Sequence, residues 1–145
     1  MELFAPENPR PIHFMGIAGA GMGALALLAR HRGVAITGSD IDPTNAADLI
    51  EAGVEVYTGH DPTHISDARA VIYSSAVDPE HPVLAAAVAA GIPTLKRAEA
   101  LRLLLGDGVV VGVAGTHGKT TTTAMVAEAL AAAGRDPTGI VGGRV

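Results

Sequence analysis

The sequence predicts an α/β protein: a Rossmann-like parallel sheet with helices on both faces, followed by the first strand, phosphate loop and helix of a P-loop ATPase domain. Three observations predict it. Short apolar runs alternate with alanine- and leucine-rich helical stretches from Ile12 to Leu105. A glycine-rich turn, Gly16-Ile17-Ala18-Gly19-Ala20-Gly21-Met22, separates the first apolar run from the first helical one. A second turn, Gly115-Thr116-His117-Gly118-Lys119-Thr120-Thr121, separates the β-branched run at Val109 from the helical run at Ala124.

Each element has a local reason. After a proline-bearing leader, Ile12 to Ile17 is a short apolar strand, and Gly19 opens a helix that runs to about Arg32, where Gly33 stops it. Val34 to Gly38 is the second strand, ending at Ser39-Asp40. Pro43 or Thr44 starts a helix that Gly53 terminates, and Val54 to Tyr57 is the third strand. Ala70 to Ser74 is the fourth strand, Pro82 to Ala90 a helix with Gly91 behind it, Ile92 to Leu95 a brief strand, and Arg97 to Leu105 a helix. In a sheet built this way, ligands bind at the carboxyl ends of the strands.

A boundary is expected at Gly106-Asp107-Gly108, dividing residues 1–107 from residues 108–145. The second unit has one strand (Val109 to Val113), one helix and a short tail, too little to close a sheet. Its unpaired strand edges invite either pairing with another copy, giving a homodimer, or disorder of the tail.

Bulk properties narrow the function. The chain of 145 residues is the size of one ordinary domain and contains no Cys, so disulfides and thiolate metal sites are excluded. A net charge of −5 and a 3% aromatic content argue against a nucleic-acid-binding face. No basic-then-apolar leader and no run of membrane-spanning length is present, so a cytoplasmic protein is expected. His13, His31, His64, His81 and His117 share no ligand spacing, which argues against a histidine metal site.

The two glycine turns carry the chemistry. In the second, backbone N–H groups and a helix N-terminus converge on an anion, Lys119 adds a point charge, and the Thr120 hydroxyl can ligate magnesium. The strict phosphate-loop pattern would place a glycine where Val113 stands, so the loop is a shorter form. In the first turn a diphosphate would meet a helix N-terminus, and Asp40, about twenty residues on at the end of the second strand, is placed to take ribose hydroxyls. Asp78, Glu80 and His81 lie near one another in a Pro-flanked loop and read as a solvated turn. His117 is either a spacer or a neighbour of the nucleotide. Arg97, a cation at the start of a helix, opposes the helix dipole and asks for an anionic partner, the substrate or Glu99.

Ile12-His13-Phe14-Met15-Gly16-Ile17-Ala18-Gly19-Ala20-Gly21-Met22, Gly38-Ser39-Asp40, Ser74-Ser75-Ala76, Arg97-Ala98-Glu99 and Ala114 through Thr123 closely resemble the Mur ligases of peptidoglycan synthesis, nearest to the alanine-adding branch. The short phosphate loop is that family's own form, and Ala18 departs from its usual glycine. The resemblance implies an ATP-dependent ligase that joins L-alanine to UDP-N-acetylmuramate through an acyl phosphate. It implies that Gly16, Ala18, Gly19, Ala20, Gly21 and Met22 hold the UDP diphosphate, that Ser39, Asp40, His60, Ser74, Ser75 and Arg97 complete the UDP-substrate site, and that Gly115, Thr116, His117, Gly118, Lys119, Thr120 and Thr121 cradle ATP. Lys119 would be catalytic, offsetting developing γ-phosphoryl charge, and Thr120 would bind magnesium. The family's remaining parts lie beyond its phosphate loop, so the chain is expected to be a fragment that binds UDP-substrate but does not catalyse alone. Alternatives are the tripeptide-recycling ligase of the same family, a non-catalytic nucleotide-binding module, and an NAD-dependent oxidoreductase. The last leaves the Lys-Thr loop unexplained.

Overall fold

The computed structural model describes residues 2–142. It contains five parallel strands, β1 (Ile12–Met15), β2 (Ile36–Asp40), β3 (Glu55–Thr58), β4 (Ala70–Tyr73) and β5 (Thr94–Lys96), in the spatial order β3-β2-β1-β4-β5. The order reverses beside β1, the central strand, which is where sheets of this kind bind ligands at their carboxyl edge.

Helices α1 (Ala20–His31), α2 (Ala47–Glu51) and α4 (Arg97–Leu105) cover one face, while α3 (Pro82–Ala89) covers the other. Strand alternation divides the two cores. Ile12 and Phe14 of β1 point into the first with Met22, Leu25, Ala29, Leu49 and Leu104. Met15 points into the second with Ile65, Val71, Val83 and Leu84. β1 and β4 are largely apolar because helices on both faces bury them.

Gly38 shows how tightly the first core closes. A Cβ there would lie 2.8 Å from Ile17 Cβ and 2.9 Å from Ile17 Cγ2, so only glycine lets the turn after β1 fold down onto β2. Gly38→Ala is expected to lose about 2 kcal/mol of stability by overpacking, read from denaturant unfolding. An unchanged midpoint would show that Ile17 moves aside freely.

Two differences from the sequence reading stand out. Pro43–Ala46 is a 3-10 turn that continues into α2, and a second such turn, Pro62–Ile65, is all that connects β3 to β4. In both turns an aspartate, Asp42 or Asp61, accepts the N–H of the residue two positions on and starts the turn ahead of a proline. The expected strand Val109 to Val113 does not form. The run is β-branched, but among the described residues it has no hydrogen-bonded neighbour, and Val109, Val110 and Val111 are 98%, 64% and 63% exposed. Propensity without a partner strand does not make a strand. The final helix, α5 (Lys119–Ala132), buries none of its residues. The last three residues of the expected second unit, 143–145, lie outside the described residues.

Candidate functional site

The carboxyl ends of β1 and β2 hold the first glycine turn in place through backbone and carboxylate together. The Ser39 carbonyl accepts the N–H groups of Gly16 and Ile17 at 2.8 and 3.2 Å, and Gly19 N–H donates to the Gly16 carbonyl at 3.0 Å. Asp40 Oδ2 accepts the N–H of Ala18 at 2.9 Å, and its Oδ1 accepts the N–H of Asp42 at 3.1 Å. The Ala18 N–H, expected to face a diphosphate, is therefore spent on Asp40. Each carboxylate oxygen keeps a lone pair for a ribose hydroxyl.

The N–H groups of Ala20, Gly21 and Met22 open α1 and have no intrahelical partner. Their helix carries no acidic residue in its first turn, so the partial positive charge there is unopposed. Arg97, at the start of α4, packs its guanidinium against the first turn of α1: any Cβ on Gly21 would overlap it. Glu99 Oε2 caps α4 by accepting the Lys96 N–H at 2.8 Å, and among the described residues no ion pair joins Glu99 to Arg97. A helix N-terminus and a guanidinium facing one space make an anion site. Ser74 and Ser75 follow β4 at the same edge. Ser74 Oγ accepts the Ala76 N–H at 3.3 Å, and the Ser75 side chain is exposed.

Behind this rim lies a chain of polar contacts that spacing along the sequence did not disclose. His13 is fully buried in the middle of the sheet, with Nδ1 3.0 Å from Thr37 Oγ1 and Nε2 3.0 Å from Ser39 Oγ. Ser39 Oγ lies 2.7 Å from His60 Nδ1. His81 meets His60 edge-on with ring centroids 5.6 Å apart, and His64 stacks on Tyr57 at 4.1 Å. Period-2 alternation explains the grouping: β1 and β2 pair His13 with Thr37 and Met15 with Ser39, which sets these side chains on one face. Burial, reinforced by His64 and His60, pushes His13 down to about 4, and burial beside His81 also lowers His60. Both are neutral imidazoles near pH 7. Ser39, expected to touch substrate, is sealed beneath His60, and its hydroxyl reaches the rim only through that ring. His81, expected in a solvated turn, instead caps α3 by accepting the Val83 N–H at 3.1 Å.

The second glycine turn has the form of an anion loop. Gly118 takes a left-handed conformation (φ 78°) that turns the chain into α5, and Lys119 Nζ folds back to the Gly115 carbonyl at 2.6 Å. The first N–H groups of α5 follow directly on Gly118 and have no intrahelical partner. Thr120 is partly exposed there, while Thr116, His117 and Thr121 are exposed. These groups fit a polyphosphate. Among the described residues, no group of three or more His, Cys, Asp or Glu side chains could hold a metal ion.

The family described as "Mur ligase family, catalytic domain" matches residues 11–107. The chain is 43% identical over 143 residues to the UDP-N-acetylmuramate–L-alanine ligase of Cutibacterium acnes, covering 98% of this chain and 30% of that protein. It is 49% identical over 136 residues to the enzyme of the same name from Symbiobacterium thermophilum, covering 92% and 28%. The chain thus spans about 30% of the length of the curated relatives it matches. Among solved structures, the UDP-N-acetylmuramate-alanine ligase of Thermotoga maritima superposes with a TM-score of 0.85 at 35% identity, over 93% of this chain and 32% of that one. A murein peptide ligase from Psychrobacter arcticus superposes with a TM-score of 0.73 at 38% identity, over 86% and 27%. Among the described residues, no helix is long and apolar enough to cross a membrane.

Proposed function

The chain belongs to the Mur ligase family, and from that premise we propose that it carries the UDP-sugar site and the ATP phosphate loop of a ligase that joins L-alanine to UDP-N-acetylmuramate. The observation that carries the reading is at the first glycine turn, where the Arg97 guanidinium packs against Gly21 in the first turn of α1, whose opening N–H groups, those of Ala20, Gly21 and Met22, have no intrahelical partner. The UDP diphosphate sits there, and Gly16 and Gly19 keep the turn compact beneath it. Asp40 takes the ribose, and His60, Ser74 and Ser75 line the same carboxyl edge for the rest of the substrate. Residues 1–107 form this unit and 108–145 begin the ATP unit, a division supported by the family match ending at residue 107.

In the proposed reaction the muramate carboxylate takes the γ-phosphoryl group of ATP, and the amine of L-alanine displaces phosphate from the acyl phosphate. Gly115 to Thr121 hold the ATP phosphates, and Lys119 offsets the charge that develops on the transferred group. Magnesium entering with ATP would be held by Thr120 and the phosphate oxygens, and would supply charge neutralisation. A nucleotide-dependent reaction of this kind places the protein in the cytoplasm.

Calorimetry on this chain with UDP-N-acetylmuramate, ATP and NAD tests the reading. UDP-sugar binding without NAD binding is expected, and NAD binding alone would overturn it. Arg97→Ala is expected to weaken the UDP-sugar about 10-fold, the loss of one charge-assisted contact at a solvent-exposed site. Equal affinity in the variant would remove Arg97 from the diphosphate site.

A further inference from the structure

His13, Ser39 and His60 form a continuous line from the middle of the sheet to the rim, and Ser39 has only one hydrogen with which to serve two rings. Its Oγ lies 3.0 Å from His13 Nε2 and 2.7 Å from His60 Nδ1; accepting from both rings would leave its own hydrogen without an acceptor in a fully buried place, so it donates to one and accepts from the other. Two arrangements satisfy every contact. In the first, Thr37 donates to His13 Nδ1, His13 Nε2–H donates to Ser39, and Ser39 donates to His60 Nδ1, which leaves Nε2–H of His60 as an outward donor. In the second, His60 Nδ1–H donates to Ser39, Ser39 donates to His13 Nε2, and His13 Nδ1–H donates to Thr37. A neutral His60 in the second arrangement turns a bare Nε2 outward, and only protonation restores a donor there.

We propose that His13 is a positioning residue for the UDP-sugar site: through the Ser39 hydroxyl it holds neutral His60 as the Nε2–H tautomer, a donor to an acceptor oxygen of the bound nucleotide. The inference rests on the reading of His60 as a substrate contact. Burial of a polar ring at the centre of a parallel sheet is costly unless its hydrogen bonds are satisfied, and both ring nitrogens of His13 are satisfied only by hydroxyls. A valine or isoleucine would fill the same space without that cost, so the ring's donor and acceptor pattern is what the site uses. The groups facing His60 are His81 at the start of α3, Asp40 at the end of β2, His64 in the turn Pro62–Ile65, and Ser39. Those facing His13 are Thr37, Ser39, His64 and Tyr57. His81 and His64 each accept a backbone N–H at Nδ1 and so hold their own tautomers independently of the line.

Protonating His60 at low pH must put hydrogen on its Nδ1; the buried Ser39 hydrogen then finds an acceptor only at His13 Nε2, which moves the hydrogen of His13 from Nε2 to Nδ1. The net change is one proton taken from water, with each hydroxyl keeping one hydrogen. Nitrogen-15 spectra of the histidine rings in the wild-type chain read this directly. On titration from pH 8 to pH 5, the two nitrogens of His13 are expected to exchange pyrrole-like and pyridine-like shifts at the His60 midpoint. In Ser39→Ala the His13 shifts are expected no longer to follow that midpoint, and UDP affinity at pH 7.5 to fall about 5-fold. Constant His13 shifts through the wild-type titration of His60 would overturn the proposal, whether or not Ser39→Ala folds. Failure of UDP to bind the wild-type chain in calorimetry would instead overturn the substrate reading, and leaves the titration to decide the coupling between the rings.

Discussion

Acidification from pH 7.5 to pH 5 is expected to remove about 2 kcal/mol of stability through His13 alone. The sign follows from where the proton binds. In the folded chain burial, with the positive charges of His64 and His60 opposing a third one, holds His13 down at about 4 from an ordinary value of 6.5. Between those values the unfolded chain carries a proton that the folded chain does not, so unfolding takes up a proton and acid favours it. The stability is fully present above the unfolded value, is lost as pH falls through it, and stops changing below about 4. His60 is shifted in the same direction by burial and by His81, and adds to the same slope. Asp42 and Asp61 are held below the ordinary carboxylate value by hydrogen bonds from Thr44 and Thr63, so their contribution is lost only in stronger acid, outside this window. Urea unfolding at a series of pH values checks the expectation, with His13→Gln as the comparison: glutamine keeps a donor and an acceptor but cannot titrate. A wild-type slope between pH 7.5 and pH 5 no steeper than that of His13→Gln would show that the buried ring is not the source.

Most of the fold could be read from the chain because its signals are local. Gly33, Gly53 and Gly91 stop helices where the next strand must begin, and all three take positive φ, a conformation other residues avoid. The alternation of elements then leaves little choice of topology. Val109 to Val113 marks the limit of that reasoning. Its residues favour a strand, but a strand exists only where another supplies the opposing N–H and C=O groups, and none of the described residues does so. The candidate anion site was legible at Gly16 to Met22 and Asp40, since a glycine turn before a helix has a backbone meaning. The use of the Ala18 N–H by Asp40 was not, because it depends on how far the loop folds back toward β2. The grouping of the histidines was not legible, for a different reason. Metal-ligand spacing is measured along the chain, whereas His13, His60, His64 and His81 come together across the sheet. The signal that could have found them was the alternation of β1 and β2: with Ile12 and Phe14 committed to one core, His13 had to face the other side beside Thr37 and Ser39. The short turn Pro62–Ile65, standing where a full helix would complete the pattern, leaves room on that side for polar side chains.

Asp40→Ala is expected to weaken UDP-N-acetylmuramate about 100-fold, the largest effect of any single change at the site. The carboxylate does two jobs that fail together. Its Oδ2 holds the Ala18 N–H at 2.9 Å, which draws the glycine turn against the end of β2 and so, in the proposed complex, aims the N–H groups of Ala20, Gly21 and Met22 at the diphosphate. Its remaining lone pairs accept the ribose hydroxyls in the proposed complex. A hydrogen bond to a charged group contributes about 1.5–3 kcal/mol, so losing the clamp and the ribose contact amounts to about 3 kcal/mol even with water filling part of the gap. Asp40→Asn separates the two jobs. Its single carbonyl oxygen can keep the Ala18 N–H while its amide presents hydrogens to the ribose, so about 10-fold weaker binding is expected. The comparison of UDP with 2′-deoxy-UDP sharpens this further, because only a ribose acceptor makes the wild-type protein prefer the former. A folded Asp40→Ala chain that binds within about 3-fold of wild type would sink the assignment, since it would mean that the turn holds its shape and the nucleotide its place without any acceptor at the end of β2.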